Sequence, residues 1–437
     1  SPSILAFDPR GKQFLRGTSV QSDYYGVILG SSAHRKSIDG MDAIKAMIAL
    51  DEIHGRLAEA VSAEDLGLDP SVLGAIASAI IYSVLHDISF AQTDMGIGMF
   101  LQNLLPLDNS SQTKQIGMNR SMTSGLALES AIACVKRTMI GMEAPRDFLR
   151  NPDSIFGRLI SADKNESPFD LDLSFGGTKC VSMNSHFTLG CYDINIAGTI
   201  HGLVDLIFKN QFIAHNDVNC FEEIEVSTFD LAYQTSKAIE PSQLQDIRTA
   251  MKSIPFVLAS ILNRAISDPE LMQGVSNFDD MWRKLMLGPS DFMGTSSINS
   301  RTLQLMKKIK VIHGGREFDE AFPDGLPARV KIQLKDQQLD SHFIKYPAGH
   351  SKNKNVDLEK LLTRKFVKIA EKSIKDSTLA DTLSKLKRLD FLVNAEIQNL
   401  NNVEYRSVEN PWLFLESTLP TRVKKYSRST SKSKKSN

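Results

Sequence analysis

The chain has 437 residues, of which 42% are hydrophobic, so it can build a large core and is expected to form two domains. Its 51 Lys plus Arg balance its 51 Asp plus Glu, which argues against nucleic acid as the main partner. No apolar run reaches the roughly 18 residues of a transmembrane helix, and the four cysteines lack the paired spacing of a metal site. We therefore expect an intracellular protein with reduced thiols.

Two apolar helices are predicted early in the chain. Apolar residues recur at helical spacing over about Met41 to Ala60, which predicts a helix with one buried face. A second helix is expected to open at Asp69-Pro70, because Asp is a good N-cap and proline suits the first helical position. It runs to Leu85 and is apolar nearly all round, so it should be buried in a helical bundle. The apolar residues of the first helix are Met41, Ile44, Met47, Ile48, Ile53 and Leu57.

The following stretch is less regular. Mixed secondary structure is predicted for residues 87–113, because Gly96 and Gly98 interrupt the helical periodicity. This glycine pair lacks the third glycine of a nucleotide-binding loop. Ser121 to Met142 predicts a further helix, whose small residues would permit close packing. Its stripe consists of Met122, Leu126, Ala127, Ala131, Val135 and Met139. Helical periodicity then fades, and the domain boundary is placed near Asn151.

The second half of the chain mixes strands with helices, which predicts an α+β domain. Polar and apolar residues alternate over Glu222 to Phe229, a pattern typical of a half-buried strand. Val330 to Leu334, a turn at 336–338, and His342 to Tyr346 together predict a hairpin. Helices are predicted at about His201 to Phe208, Pro241 to Ile266 and Arg301 to Val311, the last ending in a short strand, and also at Asp357 to Ile374 and Leu379 to Leu400.

Three short stretches carry a resemblance to a known family. They are Met47-Ile48-Ala49-Leu50-Asp51-Glu52-Ile53-His54-Gly55, then Gly67-Leu68-Asp69, and finally Tyr346-Pro347-Ala348-Gly349-His350. In these stretches the chain resembles the MmgE/PrpD family, and most of all its 2-methylcitrate dehydratase branch; cis-aconitate decarboxylase belongs to the same family. The resemblance implies an active-site cleft between two domains, a homodimer, and no metal or other cofactor.

The expected fold class is therefore α+β, with a mostly helical bundle domain and an inserted α+β lid domain. Residues 1–150 are assigned to the helical domain and 151–345 to the lid. Residues 346–420 are expected to return to the helical domain, as the resemblance implies. Residues 421–437 are rich in Ser, Lys and Arg, so a disordered basic tail is expected, and a solvated tail is favoured over a nucleic-acid or import signal.

Eliminating water from a citrate-like acid needs a base, an acid and cationic or N–H donors that hold the carboxylates. Counting back without gaps from Ser22-Asp23, Asp8 falls on the leading aspartate of the family's first catalytic segment. On the same count, Lys12 stands where the family has threonine, and Val20 stands where it has histidine.

Different residues fill the remaining catalytic positions of the family. Lys114 and Arg120 lie close to the position of one family lysine, and His186 lies beside the position of another. Arginine would bind a carboxylate well but is a poor proton shuttle. The residues at the family positions themselves are Pro70 for a histidine, Asn119 for the first lysine and Phe187 for the second.

Each candidate residue also has a structural interpretation. Asp8 could be a turn residue before Pro9, and Ser22 and Asp23 could cap the segment that follows them. His201 could replace a lost acid–base group, since imidazole titrates near neutrality, or it could serve packing alone.

The sequence favours a divergent lyase that dehydrates a 2-methylcitrate- or alkylcitrate-like tricarboxylic acid. The alternatives are a non-catalytic homologue that dimerises or binds a partner and, less favoured, a decarboxylase or epimerase of a related acid. The expected partners are a small tri- or dicarboxylate and a second copy of the chain, without membrane or nucleic acid. A cytoplasmic location is expected, or a mitochondrial one if a targeting segment precedes Ser1. The catalytic candidates are Asp8 and His201, and the substrate-binding candidates are Lys12, Ser22, Asp23, Lys114 and Arg120.

Overall fold

Two large hydrophobic cores organise the computed structural model. One lies among helices before residue 140, and the other lies in a mixed unit of helices and strands after residue 188. The structure describes residues 2–4, 19–33, 37–61, 63, 66–107, 122–151, 153–154, 180, 185–244, 247–292 and 299–406. The predicted basic tail at 421–437 therefore lies outside the described residues. Among the described helices, none has both the length and the apolar composition to cross a bilayer.

The first core is a helical bundle arranged around one apolar helix. Its helices are α1 (Gly26–Ser32), α2 (Gly40–Ala60), α3 (Ser71–Leu85), α4 (Phe90–Asn103) and α5 (Thr123–Met139). Every residue of α3 from 71 to 79 is buried, and α3 contacts the other four helices. This confirms the prediction of a central buried helix, which follows from an apolar surface all round. The helix starts one residue later than predicted, because its N-cap is Pro70 and not Asp69. The Asp69 carboxylate accepts a hydrogen bond from the Ser71 N–H.

The buried face of α2 differs from the predicted one. Met41 and Ile48 are exposed, at 45% and 48%, whereas Leu50 and His54 are fully buried. Leu57 is buried as predicted, and Ala43 and Ala46 are buried beside Leu50, so the buried face is rotated relative to the predicted one, and α2 contacts α3.

The prediction of mixed secondary structure over residues 87–113 was wrong for residues 90–103, because α4 runs through both glycines. Ser89 caps this helix, its hydroxyl accepting from the Gln92 N–H in a capping box. A Cβ at Gly96 would lie 2.7 Å from the Val135 side chain, and one at Gly98 would lie 2.0 Å from the backbone oxygen of Pro145. The glycines therefore allow close neighbours and do not interrupt the helix.

The second core contains a four-stranded sheet in the order β5-β4-β6-β7. β4 (Phe221–Thr228) runs parallel to β5 (Ile309–His313) and antiparallel to β6 (Ala328–Leu334), which pairs antiparallel with β7 (Gln338–Asp340). The helices around it are α6 (Ala197–Lys209), α7 (Asp230–Lys237), α8 (Ile247–Lys252), α9 (Ile254–Ser267), α10 (Phe278–Leu285), α11 (Ser300–Lys308) and α12 (Arg316–Ala321).

Two predictions in this unit were wrong in detail. The return strand of the hairpin begins earlier than predicted, as β7, and is interrupted at His342, which adopts a left-handed conformation (φ +59°). Pairing with β6 resumes at Ile344, which forms an antiparallel bridge with Ala328. The helix expected over Pro241–Ile266 is broken, because Ser253 starts a new helix by accepting from the Phe256 N–H.

The C-terminal helices pack on both cores. α13 (Leu358–Ala370) contacts α10, whereas α15 (Asn394–Asn399) contacts α1 and follows α14 (Asp376–Leu386). The Asn394 side chain accepts from the Ile38 N–H at 3.0 Å, and the Gln398 amide donates to the Ser32 carbonyl at 2.7 Å. The helix predicted over Leu379–Leu400 is therefore interrupted. The architecture as a whole is α+β with a mostly helical domain, as predicted.

Candidate active site

A small antiparallel sheet lies where the two cores meet. Its order is β2-β1-β3, with β1 (Pro2–Ile4) between β2 (Ser19–Val20) and β3 (Ser185–Phe187). β2 continues directly into a 3-10 turn at Gln21–Tyr24 that contacts α3 and α5 of the helical core. On the other side of β1, His186 of β3 forms a β-bridge with His350, which belongs to the α+β unit.

Four of the predicted site residues, Asp8, Lys12, Lys114 and Arg120, lie outside the described residues. The residues that flank the first pair, Ile4 and Ser19, are register partners in the small sheet.

Ser22 and Asp23 lie in the 3-10 turn beside this sheet. Asp23 is exposed, yet the protein atoms around its carboxyl raise its pKa, and a hydrogen bond from the Ser124 hydroxyl opposes that effect. No side-chain hydrogen bond caps α1, whose N-cap residue is Tyr25. The cap interpretation of the Ser22-Asp23 pair therefore finds no support among the described contacts, and the pair stays available as a substrate-binding candidate.

His201 is held between α10 and the turn at 346–350. Its Nδ1 accepts a hydrogen bond from the Ala348 N–H at 2.8 Å, and its ring packs on Phe278 and Trp282 with centroid distances of 4.9 Å and 6.1 Å. Burial lowers the pKa of His201 to about 4, so the imidazole is neutral at pH 7. Only Nε2 remains for proton transfer, and the catalytic role of His201 stays a prediction.

The Tyr346–His350 turn is held by one carboxylate. The Tyr346 hydroxyl donates to Asp324 Oδ2 at 2.6 Å, and both Lys345 and Lys352 pair with the same carboxylate. Burial alone would raise the pKa of Asp324, but hydrogen bonds from these three groups hold it well below its usual range. The motif therefore has an evident structural role.

His186 is the most deeply buried titratable group of the junction, with 1% of its surface exposed. Its ring centroid lies 5.6 Å from that of His350, and neither ring nitrogen has a hydrogen-bond partner within the part of the chain that the structure describes. Burial, together with the nearby His350 and Lys365, lowers the pKa of His186 to about 3.

Sequence reasoning missed Lys365, which reaches the junction from α13. Its Nζ donates to the Thr188 carbonyl at 2.6 Å and to the Thr188 hydroxyl at 2.8 Å, and burial lowers its pKa. Nothing in the sequence distinguished it, because it is one of several lysines in a charged amphipathic helix, 177 residues away from Thr188.

On the helical side, α2 presents a buried polar row next to the 3-10 turn. The Tyr25 hydroxyl donates to Asp51 Oδ2 at 2.8 Å, and burial raises the pKa of Asp51 to about 7. His54 is fully buried with its ring 5.3 Å from that of Tyr24, and burial lowers its pKa to about 4. Neither nitrogen of His54 has a partner among the described residues.

Comparison with protein families gives a match for the N-terminal part of the chain. The family model of the MmgE/PrpD N-terminal domain matches residues 14–167, a range that includes α1 to α5. Among the curated proteins, none matches the chain.

Proposed function

Because residues 14–167 match the MmgE/PrpD N-terminal domain, we propose that the chain is a divergent lyase of this family that dehydrates a tricarboxylic acid of the 2-methylcitrate or alkylcitrate type. One observation supports this proposal most strongly: the small sheet joins elements of both cores and has titratable side chains on both sides. Asp23 lies in the turn that follows β2, and His186 lies in β3.

The reaction requires two proton transfers and charge compensation. A base removes a proton from the carbon next to a carboxylate, an acid protonates the departing hydroxyl, and the products are an unsaturated acid and water. We assign the proton transfers to Asp8 and, through Nε2, to His201. We propose no cofactor for this step. The residues proposed to bind the carboxylates and the hydroxyl are Lys12, Ser22, Asp23, Lys114 and Arg120.

The test is an absorbance assay for the new C=C bond with citrate, 2-methylcitrate and cis-aconitate, the last of which reports the reverse hydration. We expect turnover of one of these acids, and a loss of roughly 10²- to 10⁴-fold in Asp8→Ala, which is typical for removal of a general acid or base. The control is Asp336→Ala, which removes an exposed aspartate in the β6–β7 turn and should keep full activity. Equal activity of both variants would remove Asp8 from the mechanism.

A non-catalytic homologue is the second candidate, and the environment of His201 favours it. The Nδ1 atom of this imidazole is occupied by a backbone N–H, and the low pKa keeps the ring neutral. In addition, Val20 and Pro70 stand where the family has histidines. Absence of turnover of every tested acid, together with a stable dimer in solution, would favour this candidate. Release of CO₂ or inversion of a stereocentre would instead indicate a decarboxylase or an epimerase.

We also propose a homodimer, in accordance with the family resemblance. Light scattering of the purified protein should then give a mass twice the 48.5 kDa of one chain. A concentration-independent mass of one chain would contradict this proposal without affecting the assignment of the lyase.

A further inference from the structure

The imidazole of His201 on α6 has one nitrogen that is held by the backbone and one that is not. Its Nδ1 accepts a hydrogen bond from the Ala348 N–H at 2.8 Å, and an imidazole nitrogen that accepts a hydrogen bond carries no proton. The proton of the neutral ring is therefore on Nε2. Among the described residues Nε2 has no hydrogen-bond partner, and the side chain is partly exposed. Nε2 can therefore donate to a ligand.

The turn at 346–350, which supplies this backbone N–H, is held by Asp324 in the loop before β6. The Tyr346 hydroxyl donates to Asp324 Oδ2 at 2.6 Å, and the Lys345 ammonium lies 2.9 Å from the same oxygen. Lys352 pairs with the other oxygen of the carboxylate. Hydrogen bonds to a charged acceptor are about twice as strong as neutral ones, so three of them on one carboxylate fix the turn firmly.

The backbone of the turn is also fixed on two sides. The Asp324 carbonyl oxygen lies 2.9 Å from His350 Nε2, and His350 Nδ1 accepts from the Lys352 N–H at 3.1 Å. Opposite these contacts, the Phe187 N–H of β3 donates to the Gly349 carbonyl at 2.8 Å. A Cβ at Gly349 would lie 2.1 Å from the Phe187 carbonyl oxygen, so the two backbones are in close contact. The N–H groups of the turn therefore have fixed directions.

Asp324 is not one of the described charges that act on the pKa of His201. Those charges are Asp205 and Lys209 of the same helix, whose side chains pair with each other at 2.7 Å. The other elements packed against the ring contribute aromatic side chains of α10 and the backbone N–H of the turn, which carry no charge. An effect of Asp324 on this ring must therefore pass through the turn.

We propose that Asp324 is a positioning residue, which holds the 346–350 turn so that the Ala348 N–H keeps His201 in the tautomer with its proton on Nε2. This inference rests on the proposed function, because that tautomer is the one from which Nε2 can donate toward the substrate. The hydrogen bond that prevents protonation of Nδ1 is then the contact that prepares the ring for its role. Asp324 acts through the turn, and we assign it no contact with the substrate.

The experiment measures the tautomer and the titration midpoint of His201 by proton–nitrogen NMR of the full chain. The signals of this ring are identified by their absence in His201→Gln. In the unmodified chain Nε2 should carry the proton, and the midpoint should lie at about 4. Asp324→Asn keeps an oxygen for Tyr346 but removes the charge that holds both lysines. We therefore expect a mixture of tautomers and a midpoint raised by roughly one pH unit, because a hydrogen bond to the neutral ring is lost. Asp324→Glu should restore part of the original behaviour.

Asp340→Asn is the matched control. The Asp340 carboxylate also accepts from a cationic side chain and from a backbone N–H, and hydrogen bonds from Arg329 hold its pKa below its usual range. None of its described contacts reaches the 346–350 turn, so this variant should leave the tautomer and the midpoint unchanged. Tyr346→Phe removes a single hydrogen bond to Asp324 and should shift the midpoint in the same direction by a smaller amount.

Turnover is measured separately, with the acid that the unmodified chain dehydrates. Asp324→Asn should lower kcat by about 10- to 100-fold, as expected when a reacting group is misplaced. KM should change little, because the candidates for binding the carboxylates lie elsewhere in the chain.

The outcomes separate this inference from the proposed function. An unchanged tautomer and midpoint in Asp324→Asn, or a proton on Nδ1 in the unmodified chain, overturns the positioning role and leaves the lyase assignment intact. A tautomer that is lost while kcat stays the same overturns the role of Asp324 in the reaction. If the unmodified chain turns over none of the acids, the proposed function fails, and the NMR result alone decides whether Asp324 positions His201. If Asp324→Asn does not fold, Tyr346→Phe decides the question by the same midpoint.

Discussion

Replacing Asp51 by asparagine should stabilise the protein at pH 8 and reduce the pH dependence of its stability. The Asp51 carboxyl has a pKa raised from 3.8 to about 7 by burial, so the folded state binds its proton more tightly than the unfolded state does. The stabilisation by this proton is complete below pH 3.8, decreases as the pH rises toward 7, and is lost above it. Asparagine carries no charge at any pH and can still accept the hydrogen bond from Tyr25.

The magnitude follows from the difference between the two pKa values. Each tenfold change in proton affinity corresponds to about 1.4 kcal/mol, so a change from 3.8 to about 7 corresponds to about 4 kcal/mol at most. Asp51 is half-buried and partly screened by solvent, so we expect about 2 kcal/mol.

The assay is urea unfolding followed by circular dichroism at several pH values from 4.5 to 8. The unmodified chain should lose stability steadily over this range relative to Asp51→Asn, and the variant should be the more stable of the two at pH 8. Glu129→Gln, which removes an exposed carboxyl on α5, serves as the control and should follow the unmodified chain. Parallel curves for Asp51→Asn and the unmodified chain would refute the reasoning.

Four further substitutions test the helix packing, the α4 cap and the environment of His201. Gly74→Ala should lower the free energy of unfolding, measured in urea, by about 1–3 kcal/mol, because its Cβ would lie 2.1 Å from the ring of Tyr24. At Gly125 a Cβ would meet open space, so Gly125→Ala should stabilise α5 by about 0.5–1 kcal/mol. Ser89→Ala should lower the stability by about 1 kcal/mol through loss of the α4 cap, and an unchanged midpoint would contradict the capping box. His201 has a pKa lowered from 6.5 to about 4, so the unfolded state binds its proton first and stability falls as the pH drops from 6.5 to 4. His201→Gln should reduce this loss, and an NMR titration of the ring with a midpoint near 6.5 would show the pKa argument to be wrong.

The sequence alone determined the elements whose signals are local. The extents of α2 and α3 followed from helical spacing and a cap, and β4 and β6 followed from alternation, because periodicity and capping depend on neighbours within a few residues. The family resemblance was likewise readable in short stretches, and the match over residues 14–167 agrees with it.

Only the tertiary structure decided which faces are buried and which groups meet. The glycines of α4 looked like breaks until Val135 and Pro145 proved to pack against them, and α2 buries Leu50 and His54 instead of Met41 and Ile48. Lys365 reaches Thr188 across 177 residues of chain, and no local pattern records such a contact. The physical reason is that burial, pKa and unsatisfied hydrogen bonds depend on the sum of all neighbours in space, which a linear pattern does not contain.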